Sequence, residues 1–170
     1  MKIIFLDIDG VLNNAMDIDE HQDVMLNGEY YGFYSPRCVD RLNSLTEKTG
    51  ASIVLGSVWR SGLTIDEINE LFTNMGINAK CIGKTDELHQ RWAFRGNEIH
   101  KWMIDNKELI GSYYDFRSYV ILDDDTDMLM WHNNNYVNCD PEIGMTDRTV
   151  SKAQAILNHA PCHDAGQEFI

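Results

Sequence analysis

The chain has 170 residues, of which 44% are hydrophobic and 24% are charged. This length suits one domain whose hydrophobic core is large enough to fold without a disulfide or a structural metal. With 14 Lys and Arg against 27 Asp and Glu, the formal net charge is −13, which excludes a basic surface for gripping extended nucleic acid. A local basic patch, or the binding of one nucleotide or strand end, remains compatible with this charge.

Cysteine spacing and hydropathy both favour a cytoplasmic protein. The four cysteines are too widely spaced for a CxxC metal clip and too few for a disulfide scaffold, so we interpret them as reduced thiols. The apolar start of the chain is interrupted at Asp7, which is not typical of a signal peptide. No apolar stretch approaches about 18 residues, so we expect no membrane partner.

Apolar strand patterns and amphipathic helix patterns alternate from the beginning of the chain. Lys2 to Leu6 reads as a short buried strand, and residues 13–34, which lack a clean period, as a loop or small inserted element. Ser35 and Pro36 are typical of an N-cap followed by the first helical residue, and Gly50 is a natural helix end.

The same alternation continues through the rest of the chain. Further predicted strands are Ala51 to Leu55, Ile77 to Ile82, Tyr119 to Leu122 and Tyr136 to Cys139. Further predicted helices are Thr64 to Gly76 with a capping box, Gly96 to Asn106, Asp127 to Trp131, and one that Thr146 or Asp147 caps and Pro161 stops. This order predicts an α/β fold with a central parallel sheet and helices on both faces. We expect one domain over residues 1–160 and a tail over 161–170.

Acidic residues follow two of the apolar strands. Asp7-Ile8-Asp9-Gly10 comes directly after the first predicted strand, and the run Asp123 to Asp127 follows a later one. Ligands bind at the carboxyl ends of parallel strands, so these acids and Ser57, which follows the second strand, are expected along one rim. Either acidic segment alone would be typical of a turn or a solvated helix start. Together with Ser57 they indicate a site.

A cluster of carboxylates requires relief from its own repulsion. Two like charges 4 Å apart repel by roughly 1 kcal/mol in water and by about 4 kcal/mol at an effective dielectric of 20. Protonation or a bound cation must offset this cost. Oxygen ligands favour a hard ion, and Mg²⁺ suits a site that also holds a phosphate. A free carboxylate beside such an ion can attack phosphorus and form an aspartyl-phosphate.

These segments together resemble the haloacid dehalogenase-like (HAD) superfamily. The resembling segments are Phe5 to Val11 for its first motif, Ile53 to Ser57 for its second and Val120 to Asp124 for its fourth. The resemblance implies a Rossmann-like sheet with a minimal cap or none.

The resemblance also implies roles for the acidic residues. Asp7 would be the nucleophile and a magnesium ligand. Asp9 would act as general acid and base, and its backbone carbonyl would bind the metal. Asp123 and Asp124 would complete the magnesium site, with Asp127 as an alternative to Asp124.

Other residues would then contact the phosphoryl group. Ser57 would hydrogen-bond one of its oxygens, and Gly10 would allow its close approach. The third motif of the superfamily is a Lys or Arg near a helix start, which we assign to Arg95. Lys84 and Arg91 are the alternatives for this cation.

A narrower resemblance links the chain to small uncapped members related to the phosphatase domain of polynucleotide kinase-phosphatases and RNA-repair proteins. It rests on Ser57 to Arg60, Arg95 to Ile99 and Asp123 to Asp125. Arg60 would then contact substrate phosphate or sugar, or instead form a salt bridge at the sheet rim. Trp59 would pack within the protein, or stack on a base.

The implied function is that of a Mg²⁺-dependent phosphomonoesterase acting on a nucleotide or a nucleic-acid terminal phosphate. One alternative is a phosphatase of a sugar or other small metabolite. Another is a non-catalytic phospho-accepting signalling module, but such receiver domains carry their acidic pair early and their phosphorylated Asp later, the reverse of the order here. The expected partner is a small phosphorylated substrate or a nucleic-acid end.

Overall fold

A computed structural model describes residues 1–88, 94–110 and 118–158. The strands are β1 (Ile3–Leu6), β2 (Gln22–Leu26), β3 (Glu29–Tyr34), β4 (Ser52–Leu55), β5 (Cys81–Lys84), β6 (Tyr119–Asp123) and β7 (Tyr136–Asn138). The α-helices are α1 (Pro36–Thr49), α2 (Ile65–Met75), α3 (Arg95–Asp105), α4 (Lys107–Ile110) and α5 (Asp147–Asn158). Short 3-10 helices span Ile18–Glu20, Val58–Arg60 and Met130–Asn135. The predicted tail, 161–170, lies outside the described residues.

Five parallel strands form the central sheet in the order β5-β4-β1-β6-β7. The last residue of β1, Leu6, pairs with Leu55 of β4 on one side and with Leu122 of β6 on the other. The residues that follow these three central strands therefore leave the sheet side by side, at one rim. This arrangement confirms the predicted Rossmann-like α/β fold.

Helices cover both faces of the sheet. Side chains alternate between the faces along a strand. Ile4 packs in the larger core, which includes Leu42 of α1 and Ile68 of α2. Phe5 faces the opposite side and meets Trp102 of α3, with the two rings edge to face and their centroids 5.4 Å apart. All residues of β1 and β6 are buried, as the run of apolar residues in each strand predicts.

The predicted ends of the first two helices are confirmed. The Ser35 hydroxyl accepts a hydrogen bond from the backbone of Cys38, and Gly50 ends α1 in the left-handed region with a φ of 67°. Thr64 and Glu67 form the reciprocal capping box that begins α2. Such caps satisfy backbone donors and acceptors that a helix leaves unpaired at its ends.

Two of the predicted elements lie elsewhere. The predicted strand Ile77 to Ile82 is shifted, because Ile77 still donates to Phe72 at the end of α2 and β5 begins only at Cys81. The predicted helix Asp127 to Trp131 is wrong, and a 3-10 helix forms further on, at Met130–Asn135. Asp127 instead accepts a hydrogen bond from the start of α3.

Residues 13–34, for which the sequence predicted a loop or a small inserted element, contain a β-hairpin. Strands β2 and β3 pair antiparallel around a two-residue turn, Asn27-Gly28, whose φ angles of 54° and 82° are typical of tight hairpins. Asn74 of α2 donates to the backbone carbonyl of Met25, which fastens the hairpin to the domain.

No cap domain is evident in the described part of the chain. No helix among the residues described is long and apolar enough to cross a membrane.

Candidate active site

Three carboxylates meet where β1 and β6 end. Asp7 follows β1, Asp123 is the last residue of β6, and Asp124 comes next. One oxygen from each of the three lies within 4.8 Å of the others. Asp7 is only 5% exposed and Asp123 only 2%. Neighbouring parallel strands thus bring together acids that lie far apart in the sequence.

Burial shifts the titration of this cluster strongly. It raises the pKa of Asp7 to about 8, with repulsion from Asp123 adding to the rise and attraction to Arg95 opposing it. Burial likewise raises the pKa of Asp123 to about 6, again against the effect of Arg95. Burial in the protein alone therefore shifts both acids toward their protonated forms. A divalent cation would favour the ionised acids, and three carboxylate oxygens are a donor set that suits Mg²⁺.

Gly10 fits closely against this cluster. Its φ of 70° lies in the left-handed region, and a Cβ added there would lie 2.5 Å from Cγ of Asp124. A larger residue would strain the backbone and push that carboxylate aside. Gly10 therefore leaves the space that the carboxylate of Asp124 occupies, and the close approach of a phosphoryl group to Gly10 stays a prediction.

Arg95, the first residue of α3, lies beside the carboxylates. Its Nη2 donates to Oδ1 of Asp7 at 3.1 Å, and its Nε lies 3.1 Å from Oδ2 of Asp123. Of the alternatives, Lys84 donates from Nζ to the backbone carbonyl of Leu63 at 2.5 Å. Arg91 lies outside the described residues. The geometry favours Arg95 as the cation of the site.

Asp127 supports Arg95 from outside the carboxylate cluster. Its Oδ2 accepts a hydrogen bond from the backbone N–H of Arg95 at 2.8 Å, which satisfies a donor at the start of α3. The next residue of that helix, Gly96, packs so closely that a Cβ would lie 2.4 Å from the backbone nitrogen of Leu129. Of the two acids proposed as the second carboxylate after β6, the geometry therefore favours Asp124.

Ser57 lies at the same rim, after β4. It is fully buried, and its Oγ accepts a hydrogen bond from the backbone N–H of Trp59 at 3.4 Å. The adjacent residue, Gly56, donates to the carbonyl of Leu6 and ties this loop to the end of β1. The Ser57 hydroxyl hydrogen is not used in the bond to Trp59 and can be donated elsewhere.

The sequence left two roles open for Arg60, a substrate contact or a salt bridge at the sheet rim, and this geometry favours the salt bridge, which is made with Glu98. Its guanidinium has five N–H groups. Their acceptors are the backbone carbonyls of Gly56, Ser57, Thr85 and Asp86 and the carboxylate of Glu98, at 2.6–3.2 Å. The residue is 3% exposed. Arg60 therefore has no N–H group left for a phosphate, and it joins the Ser57 loop to α3.

Asp9 is exposed, and its carboxylate is not one of the three whose oxygens lie within 4.8 Å of one another. Its Oδ1 accepts a hydrogen bond from Nδ2 of Asn13 at 2.8 Å. Both of its carboxylate oxygens lie 3.1 Å from Nε1 of Trp59. Neither partner was predicted from the sequence, and Trp59, which lies 50 residues from Asp9, has no local signal for this contact.

Glu98 was also missed, although its position carries a signal. Its Oε2 accepts a hydrogen bond from Arg60 at 2.8 Å and lies 3.5 Å from Nη1 of Arg95. Residues three apart on a helix share a face, so an acid at this spacing after Arg95 is a natural ion-pair partner.

A parallel α/β sheet with buried carboxylates, an arginine and a serine at its carboxyl rim defines the class of HAD-like hydrolase domains. Comparison with known families agrees with this class. A family model described as "HAD domain in Swiss Army Knife RNA repair proteins" matches residues 3–150, and the chain belongs to this family. The match spans all strands of the central sheet and every site residue named above. No curated protein matches the chain.

Proposed function

We propose that the protein is a Mg²⁺-dependent phosphomonoesterase that works through an aspartyl-phosphate on Asp7. The observation that carries this proposal is the convergence of Asp7, Asp123 and Asp124 around the guanidinium of Arg95. Uncatalysed hydrolysis of phosphate monoesters is among the slowest reactions that enzymes accelerate. A nucleophile, a cation and metal ligands within one buried cluster suit that demand.

The magnesium ligands would be the carboxylates of Asp7, Asp123 and Asp124 and the backbone carbonyl of Asp9. When bound, the ion would neutralise charge on the carboxylates and on the phosphoryl group. The raised pKa values of Asp7, about 8, and Asp123, about 6, support this assignment, because burial disfavours the negative charge of both acids and a bound cation would favour it.

The protein groups would act in two steps. A carboxylate oxygen of Asp7 attacks phosphorus, the bond from phosphorus to the leaving oxygen breaks, and Asp9 donates a proton to that oxygen. Asp9 then removes a proton from water, which attacks phosphorus and displaces Asp7, so that inorganic phosphate leaves. Arg95 and Ser57 would donate hydrogen bonds to the phosphoryl oxygens during both steps.

The proposed substrate is a nucleotide or a terminal phosphate of a nucleic acid. The family description, which refers to RNA repair proteins, supports this choice. The net charge of −13 favours contact with a strand end over contact with a long stretch of backbone. We also propose a cytoplasmic location, which the buried free thiols of Cys38, Cys81 and Cys139 support.

Phosphate release from a substrate panel tests the proposal. Wild-type protein is assayed with 3′-phosphorylated oligonucleotides, mononucleotides and sugar phosphates, in Mg²⁺ and in EDTA. We expect activity only with Mg²⁺ and the highest kcat/KM on a nucleotide or oligonucleotide. Asp7→Asn should abolish turnover, whereas Asp40→Asn, the same change at an exposed site on α1, should not.

Three outcomes would contradict the proposal. Unchanged activity of Asp7→Asn would exclude Asp7 as the nucleophile. A preference for sugar phosphates would favour the small-metabolite alternative. A phosphorylated protein that persists for hours in the native state, without phosphate release, would favour the phospho-accepting signalling module.

A further inference from the structure

The indole of Trp59 holds the carboxylate of Asp9. Its Nε1 lies 3.1 Å from both Oδ1 and Oδ2, so one N–H group is shared between the two oxygens. Asn13 donates to Oδ1 from the other side, at 2.8 Å. Asp9 is exposed, and an exposed carboxylate without such contacts would rotate among several rotamers.

The β2–β3 hairpin in turn fixes the indole. The Tyr31 ring meets Trp59 edge to face at 5.5 Å, and its hydroxyl donates to the backbone carbonyl of Trp59 at 2.6 Å. Gly32 lies directly against the ring, since a Cβ added there would lie 2.3 Å from Cη2 of Trp59. The glycine therefore provides the space in which the indole can face Asp9.

We propose that Trp59 is a positioning residue for Asp9 and that the β2–β3 hairpin sets its orientation through Gly32. This inference rests on the proposed function, in which Asp9 protonates the leaving oxygen. A general acid must lie within hydrogen-bond reach of the atom that it protonates, and general acid catalysis contributes roughly 10²–10⁴-fold. A displacement of about 1 Å can cost roughly 10²-fold.

Leaving groups of different basicity provide the test. Phenyl phosphate leaves as a basic oxygen that needs a proton, whereas 2,4-dinitrophenyl phosphate leaves readily without one. Trp59→Phe keeps an aromatic ring but removes the N–H group. We expect kcat/KM in Mg²⁺ to fall roughly 10–100-fold for phenyl phosphate and by less than about 3-fold for the dinitrophenyl ester. Trp131→Phe, the same change at an exposed tryptophan, should alter neither value.

A second variant tests the contribution of the hairpin and keeps the indole. Gly32→Ala should displace the ring and produce the same selective loss on phenyl phosphate. The double variant should be no worse than Trp59→Phe alone, because both changes act through one contact.

Equal losses on both esters, or no loss on phenyl phosphate, would overturn the inference. Additive losses in the double variant would exclude the inference that Gly32 acts on Asp9 through the orientation of Trp59. If wild-type protein in Mg²⁺ releases phosphate neither from these esters nor from the nucleotides and oligonucleotides of the substrate panel, the proposed function itself fails, and this inference fails with it.

Discussion

Replacing Asp7 by Asn should stabilise the metal-free protein, by an amount that grows with pH. Burial raises the pKa of Asp7 from 3.8 to about 8. The unfolded chain therefore releases this proton at a lower pH than the native protein does. Between these two pKa values Asp7 is ionised in the unfolded chain but still protonated in the native protein. The free energy of unfolding of the wild type therefore falls as pH rises. An Asn at this position has no proton to lose.

The size of the gain follows from the two pKa values. Each unit of pKa difference is worth about 1.4 kcal/mol, so Asn should gain roughly 1 kcal/mol at pH 4.5 and roughly 4 kcal/mol at pH 7. Above the native pKa of about 8 the gain should level off. Any loss of packing or of the contact with Arg95 adds an offset that is nearly independent of pH in this range. The quantity to measure is therefore the slope of the stability difference between Asp7→Asn and wild type against pH.

Urea unfolding in EDTA at several pH values between 4.5 and 8.5 measures that slope. Asp40→Asn, the same change at an exposed site on α1, is the matched control. Its free energy of unfolding should differ from that of the wild type by an amount that does not change with pH. Added Mg²⁺ should then stabilise wild type more than Asp7→Asn, because a ligand of the native state shifts unfolding by mass action. A difference between Asp7→Asn and wild type that does not change with pH would refute the reasoning.

Three further changes test other parts of the structure. Arg60→Met should cost roughly 3–5 kcal/mol, because it removes one of the two arginines that face the buried carboxylate of Glu98 and the donor to four backbone carbonyls, and should lower Tm by roughly 10 °C in a thermal scan; an unchanged Tm would exclude the structural role. Gly10→Ala should weaken Mg²⁺ binding, measured by calorimetry, since its Cβ would displace Asp124; wild-type affinity would contradict this contact. Thr64→Ala should cost about 1 kcal/mol in urea unfolding through loss of the capping box, with kcat/KM unchanged.

Local signals in the sequence were sufficient to predict the strand that leads into the site, the acids that follow it and the helix caps. The strand ending at Leu6 and the acids that follow it could be read directly, because a buried parallel strand is a short apolar run with polar residues after it. The caps at Ser35 and Thr64 could be read for the same reason, since they involve residues three apart. The hairpin signal at Asn27-Gly28 is equally local, and it was available although we predicted only a loop or insertion there.

Tertiary structure alone decided which of these residues meet and what each one does. Arg95 reaches Asp7 across 88 residues, and Trp59 reaches Asp9 across 50, so strand order and helix packing bring about both contacts. The sequence permitted two roles for Arg60, and the carbonyls that surround it favour the structural one. The sequence by itself determined that acidic residues follow the ends of the strands, because that pattern depends on near neighbours. The partner of each acid depends on packing between distant elements, which no local pattern records.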